Sequence, residues 1–169
     1  VRSMARLVDD LLDVSRITRG KIQLRKEPVN LAAVIQRAVE TTRPLFQASS
    51  QELAMGLPEE TVRLHADPLR LEQIIINLLN NASKYSEPGR VVRLDAARDG
   101  QDVIVRVVDQ GIGIAPEMLT QVFELFAQAD RSLDRAQGGL GIGLTLVRSL
   151  VQMHGGSVMC RSDGLGQGS

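Results

Sequence analysis

Three clusters of residues have the types and spacings that chemistry needs. The first is Asn77-Leu78-Leu79-Asn80-Asn81-Ala82-Ser83-Lys84-Tyr85. Asn77, Asn81 and Lys84 are four and three residues apart, so a helix sets them on one face. Neutral amide oxygens beside a lysine suit a hydrated Mg²⁺ and the phosphates it bridges. A solvated helix face with a dipole-favoured lysine at its C-terminal end is the plainer account of the same residues. The second cluster is Asp109-Gln110-Gly111-Ile112-Gly113-Ile114, directly after a strand pattern. Its glycines permit a ligand to approach the backbone, and its carboxylate suits an exocyclic amine. A simple turn explains it equally. The third is Gly138-Gly139-Leu140-Gly141-Ile142-Gly143-Leu144, where glycines open a helix. Backbone N–H groups gathered at a helix N-terminus bind anions. No Lys-Ser or Lys-Thr follows the last glycine, so this is not a P-loop. A flexible loop running into a helix is the alternative.

The elements that position these clusters follow from periodicity. Residues 1–18 read as an amphipathic helix, with Met4, Leu7, Leu11 and Val14 in steps of three and four, widened by Val8 and Leu12. Asp9, Asp10, Asp13 and Arg16 are expected on its solvated side, and Thr18-Arg19-Gly20 ends it. Ile22 and Leu24 alternate as a strand over 21–28, closed by Pro28. Asn30 caps a helix over about 31–48. Short strands follow near 52–56 and 61–65. Asp67-Pro68 starts a helix that runs to about 84 and buries Leu71, Ile74, Ile75, Leu78 and Leu79. After the turn Ser86-Glu87-Pro88-Gly89, two strands span 91–97 and 102–108. The segment 109–140 has weak periodicity and reads as functional loop. A helix over 142–153 and a strand over 156–161 complete the pattern, before a tail rich in glycine. The fold class is α/β: a two-layer α/β sandwich with a mixed, largely antiparallel sheet and helices on one face, preceded by an amphipathic helix.

Composition narrows the function classes. The 169 residues are 43% hydrophobic and carry 20 basic and 20 acidic side chains. A net charge of zero gives no electrostatic case for nucleic acid or an anionic membrane. The aromatics are Phe46, Tyr85, Phe123 and Phe126, so the core is aliphatic and a base-stacking surface is not expected. Cys160 has no cysteine to pair with, which suits a reducing compartment. It is expected as a small apolar group in its strand, with Met118, Met153 and Met159 as core filler. No stretch approaches the roughly 20 apolar residues that span a bilayer.

The order of the three clusters is more specific than any one of them. It resembles the ATP-binding catalytic domain of sensor histidine kinases, part of a superfamily shared with DNA gyrase, the ninety-kilodalton heat-shock chaperone and the mismatch-repair ATPase. The resemblance covers nearly the whole chain. It implies ATP and Mg²⁺ as ligands, with Asn81 at the metal, Lys84 at a phosphate and Tyr85 beside the nucleotide. Asn77 belongs to the same catalytic box. Asp109 matches the aspartate that reads the adenine amino group, with Gly111 and Gly113 beside it. Phe123-Glu124-Leu125-Phe126 matches the two-phenylalanine box that anchors a lid over about 127–138, and Arg131 or Arg135 would reach phosphate from that lid. Gly139, Leu140, Gly141, Gly143 and Leu144 match the triphosphate-binding box. Residues 1–19 resemble the second helix of the dimerisation and histidine-phosphotransfer hairpin, leaving 20–169 as the catalytic domain.

Two departures from the family pattern shape the expected function. The phosphoacceptor histidine normally lies on the hairpin's first helix. His65 and His154 instead match structural positions, the latter as a cation at a helix end. Gly166-Gln167-Gly168-Ser169 resembles the last glycine box, but the strand that usually follows it is missing, so an exposed sheet edge is expected. The resemblance implies transfer of the ATP γ-phosphoryl to a histidine outside this chain. The implied partners are the phosphoacceptor helix, a response-regulator receiver domain and a second copy in the full-length protein, with a cytoplasmic location. A nucleotide sensor or dimerisation piece without turnover is one alternative. An ATP hydrolase is another, but that class places a glutamate one turn before the magnesium asparagine to activate water, and Asn77 cannot act as a base. A serine kinase of the anti-sigma type shares the ATP site but lacks the hairpin helix.

Overall fold

The computed structural model describes residues 11–13, 15–17, 22–125 and 141–169. Helix α1 is seen at residues 11–13 and 15–17. The remaining order is β1 (Glu27–Asn30), α2 (Leu31–Ala48), β2 (Glu52–Gly56), β3 (Arg63–Ala66), α3 (Pro68–Tyr85), β4 (Val91–Asp99), β5 (Asp102–Val108), a 3₁₀ turn (Pro116–Met118) and α4 (Gly143–Met153).

Helices α2 and α3 begin where their capping residues stand. The Asn30 side chain accepts from the Ala32 N–H at 3.0 Å. Asp67 Oδ1 accepts from the Leu69 and Arg70 N–H groups, each at 3.1 Å, and Pro68 fits the first turn because it has no N–H to orphan. Helix α2 buries Leu31, Val34, Ile35, Ala38, Val39, Thr42 and Phe46, a stripe in helical steps. Strands β2, β4 and β5 form one sheet in that order, with β2 and β4 parallel and β4 and β5 antiparallel. Strands β1 and β3 pair antiparallel in a separate two-stranded sheet.

Two apolar cores follow. In the larger one the inward residues Val92, Leu94 and Ala96 of β4 pack with α2 and with Ile75, Leu79 and Ala82 of α3. In the smaller one Ile74 of α3 meets Ile142, Leu146, Val147 and Leu150, and Ile17 of α1 packs against this group. Helix α3 therefore belongs to both cores.

The structure corrects several expectations. Residues 22–26 form no strand, and β1 begins only at Glu27, with Pro28 inside it. Side-chain capture replaces a ladder here: the Arg25 N–H donates to Asp67 Oδ2 at 2.9 Å. Residues 156–161 carry no strand either. Their burial does alternate, with Val158 and Cys160 half-buried between exposed neighbours, but period-two burial without a partnered backbone is not a ladder. Met159 is exposed rather than core filler. Asp13 is not a solvated side chain. Its carboxylate accepts from Arg70 Nη1 at 2.6 Å and from Gln73 Nε2 at 3.0 Å, tying α1 to α3. Met4, Leu7, Val8, Asp9, Asp10 and Val14 lie outside the described residues, as does Thr18-Arg19-Gly20.

Candidate functional site

The first and third clusters come together through the two helices that carry them. Asn77 is buried, and Asn80, Asn81, Lys84 and Tyr85 are half-buried. This is not a solvated helix face. Gly143 opens α4 opposite these side chains. A Cβ built on Gly143 would stand 3.9 Å from Asn77 Cγ and Oδ1 and 4.0 Å from Asn81 Nδ2. The bare glycine therefore leaves space over both amides. Gly141 precedes it with φ of 66°, a conformation that suits glycine, and Leu144 follows on the first turn.

The second cluster hangs on the C-terminal end of α3. The Ile112 N–H donates to the Tyr85 carbonyl at 3.1 Å. A Cβ at Gly111 would strike that same carbonyl, so the loop can lie this close only with glycine there. Gly113 has φ of 69°. Asp109 is buried at the end of β5. Its Oδ1 accepts from the Gly111 N–H at 2.9 Å, and its Oδ2 accepts from the Ser169 hydroxyl. The Asp109 N–H donates to the Ser169 carbonyl at 2.8 Å. A carboxylate oriented by two donors is a preorganised acceptor.

Lys84 Nζ lies 3.0 Å from Tyr85 Oη and 4.5 Å from the Tyr85 ring centroid, so the lysine and the aromatic form one unit. Glu124 accepts from Arg148 Nη1 at 3.0 Å, joining the Phe123-Glu124 segment to α4. Phe126, Arg131, Arg135, Gly139 and Leu140, with the expected lid over 127–138, lie outside the described residues. Buried polar atoms remain near this face. Among the described residues, the buried side-chain atoms with no hydrogen-bond partner include Asn80 Nδ2, Ser86 Oγ and Thr145 Oγ1. Buried polar groups are ordinarily satisfied, so an orphan amide three residues from Asn77 and four from Lys84 suits a polar ligand. Asn77, Asn80 and Asn81 offer neutral oxygens with Gly143 uncovered, a donor set that fits a divalent ion sharing phosphate oxygens.

Other candidates resolve as structure. Both His154 nitrogens are engaged: Nδ1 contacts the Leu150 carbonyl at 2.8 Å, and Nε2 accepts from the Asp67 N–H at 3.0 Å. The ring thus ties the Asp67 cap of α3 to the end of α4. His65 is exposed on β3. Burial pushes the Cys160 thiol up, the Asp109 charge adds to this, and a bond from the Arg161 backbone opposes both. A raised thiol pKa lowers the share of the nucleophilic thiolate.

Sequence reasoning missed Gln51, Ser169 and Asn80. Gln51 bonds residues more than thirty positions away, so no local pattern marks it. Ser169 orients Asp109 across 60 residues.

Comparison with known proteins accords with this geometry. Residues 66–169 match the family described as histidine kinase-, DNA gyrase B-, and HSP90-like ATPase. The circadian input-output histidine kinase CikA of Synechococcus elongatus is 39% identical over 165 residues, covering 96% of this chain and 22% of that protein. The adaptive-response sensory kinase SasA of the same organism is 32% identical over 170 residues, covering 100% of this chain and 43% of that protein. The chain thus spans less than half the length of each of these relatives. Full-length ShkA, solved in complex with AMPPNP, superposes with a TM-score of 0.82 at 34% identity, covering 98% of this chain and 34% of that one. Histidine kinase AdeS of Acinetobacter baumannii shares the fold, with a TM-score of 0.78 at 23% identity over 97% of this chain and 74% of that one. The chain belongs to the histidine kinase-, DNA gyrase B- and HSP90-like ATPase family, among the catalytic domains of sensor histidine kinases.

Proposed function

We propose that this chain binds Mg²⁺ and ATP between α3 and α4 and passes the γ-phosphoryl to a histidine on a partner helix. The observation that carries the proposal is the uncovered Gly143 facing Asn77 and Asn81. Asp109 selects adenine through its exocyclic amine. Asn81 holds the metal, Asn77 shares that polar face, and Lys84 with the N–H groups from Gly139 to Gly143 holds phosphate. Tyr85 flanks the nucleotide. Leu140 and Leu144 lie along the same glycine segment, and Phe126 and Arg135 serve the lid. Mg²⁺ supplies charge neutralisation between the phosphates. In the transfer, an imidazole nitrogen forms a bond to the γ-phosphorus. The bond from that phosphorus to the bridging oxygen breaks, ADP leaves with the electron pair, and the imidazole sheds its proton.

His154 does not supply that nitrogen, because both its nitrogens are engaged. The acceptor therefore belongs to a phosphoacceptor hairpin, of which residues 1–19 are the second helix, and residues 20–169 are the catalytic unit. A response-regulator receiver domain then takes the phosphoryl, in a cytoplasmic homodimer. No helix among the described residues is long and apolar enough to cross a membrane.

Calorimetric titration with ATP and Mg²⁺ tests the binding step, with GTP and Mg²⁺-free ATP as controls. Saturable binding that prefers ATP and weakens without Mg²⁺ is expected. Addition of a phosphoacceptor hairpin in trans with γ-labelled ATP then reads the transfer. Absence of binding refutes the site. Binding with steady phosphate release above trace refutes the kinase reading in favour of hydrolysis, and binding without transfer favours a nucleotide sensor.

A further inference from the structure

Helix α2 ends in an unusual way. Ser50 has φ of 51°, the left-handed region that a serine enters at a cost. The Ser50 N–H donates to the Gln47 carbonyl at 3.1 Å, and the Gln51 N–H donates to the Phe46 carbonyl at 2.9 Å. This tight reversal turns Gln51 inward, where it is 8% exposed, before β2 begins at Glu52. A buried glutamine must find partners for its whole amide, and this one finds them all in one place. Its Nε2 donates to the Ser83 carbonyl at 2.9 Å and the Ser86 carbonyl at 3.0 Å, with the Glu87 carbonyl at 3.3 Å. Its Oε1 accepts from the Ser83 hydroxyl at 2.5 Å.

The two nearer carbonyls bracket Lys84 and Tyr85. The orphan carbonyls of a helix C-terminus normally fray or take water, and here one side chain fixes them. The Tyr85 carbonyl, between the two that Gln51 holds, receives the Ile112 N–H. That bond hangs the Asp109–Gly113 loop on α3. A continuous chain of contacts therefore runs from Gln51 through the end of α3 to Lys84 and to the turn beside Asp109.

We propose that Gln51 is a positioning residue for nucleotide binding, which sets Lys84 and the Asp109 loop in register with each other without touching the ligand. The proposal rests on the nucleotide-binding reading above. It explains why a polar side chain is buried at this position, where leucine would bury more apolar surface.

The test compares Gln51→Leu and Ser83→Ala with the parent chain. Thermal unfolding and far-UV circular dichroism first establish that each variant is folded at the assay temperature. Calorimetry then gives Kd for Mg²⁺·ATP and for adenosine. Gln51→Leu is expected to weaken Mg²⁺·ATP about tenfold, or about 1.4 kcal/mol, and adenosine less, because Lys84 is displaced more directly than Asp109. Ser83→Ala removes one bond of the set and is expected to weaken Mg²⁺·ATP about threefold. A double-mutant cycle with Lys84→Ala separates positioning from general destabilisation: the Gln51→Leu loss should largely vanish in the Lys84→Ala background. Unchanged affinity in a folded Gln51→Leu chain overturns the proposal, as does strict additivity with Lys84→Ala. If Gln51→Leu does not fold, the Ser83→Ala affinity and its own cycle with Lys84→Ala decide, and an unchanged affinity or additivity there overturns it. A parent chain that binds no ATP refutes the nucleotide site instead, before any variant is read.

Discussion

Substitution of Gly143 by alanine should move stability and binding in opposite directions. Gly143 is the first residue of α4 and is not among the glycines with positive φ. Its backbone is therefore open to alanine. The added methyl meets Asn77 and Asn81 at 3.9 and 4.0 Å, ordinary van der Waals contact, so nothing in the fold must yield. Alanine also lowers the conformational entropy of the unfolded chain. The gain expected is about 0.5–1 kcal/mol, which for a domain of this size raises Tm by about 1–4 °C. The same methyl fills the gap between the helix start and the two amides. A carbon at 4.0 Å from an amide nitrogen leaves no room for an oxygen to sit between them and bond the amide at about 2.9 Å. A metal or phosphate oxygen held there would be displaced. Charge-assisted contacts contribute about 1.5–3 kcal/mol each, so Mg²⁺·ATP affinity should fall between about tenfold and a hundredfold. Scanning calorimetry and isothermal titration on the same preparation read both effects. A variant that is stabilised yet binds Mg²⁺·ATP like the parent would show that the amides and Gly143 do not enclose the ligand. A variant that loses binding through a lower Tm would show that the packing argument is wrong.

Two further outcomes concern what holds the site's helices in place. Burial raises the Asp67 carboxyl, but bonds from the Arg25, Arg70 and Leu69 N–H groups and the Arg70 charge outweigh it, so its pKa lies below the ordinary 3.8. Its contribution is fully present above that value and is lost as pH falls through the lower folded pKa. Asp67→Asn should therefore cost about 1–2 kcal/mol at pH 7, and the difference in denaturant midpoints should narrow only below about pH 4; a gap that closes already near pH 6 would contradict this. Asp13 and Arg70 form a mostly buried pair at 2.6 Å, with side chains 13% and 25% exposed. A double-mutant cycle with alanine at both positions should give a coupling of about 1 kcal/mol in unfolding free energy, and a coupling indistinguishable from zero would remove the pair as the tie between α1 and α3.

The elements that sequence places well are those with a local cause. Asn30 and Asp67 cap α2 and α3 with their own side chains, and the aliphatic stripes of both helices run in register with those caps. Strands β2 and β5 likewise fall at the expected 52–56 and 102–108. What fails is local pattern without a partner. Ile22 and Leu24 alternate, yet the backbone beside them is bound by Asp67 from 42 residues away. Val158 and Cys160 alternate, yet carry no ladder. The site divides in the same manner. Asn77, Asn81, Lys84, Asp109 and Gly143 are visible because their spacing is local to a helix or a turn. Gln51 and Ser169 are invisible because each acts on a group that only the fold brings near. The solvated reading of Asp13 fails for this reason too, since Arg70 comes from a different helix.

The burial of Asn77 bears on which reaction the helix face suits. Its side chain is enclosed against the start of α4, with Gly143 opposite. A carboxylate in the same place would be desolvated and would stand one turn from the amide of Asn81. Desolvation raises a carboxyl pKa, which would make such a group a competent base toward a water molecule held near the phosphates. It would also add a like charge beside a polyanion. An amide does neither. It contributes a dipole that can orient toward metal or phosphate, and it leaves Lys84 as the charged side chain among the polar groups of this face. On the reading proposed above, a site that binds triphosphate without activating water preserves the γ-phosphoryl until a better nucleophile arrives. An imidazole brought by a partner helix is such a nucleophile, since its lone pair attacks without prior deprotonation. On that reading, the asparagine at 77 and an acceptor from outside the site are two sides of one chemical requirement.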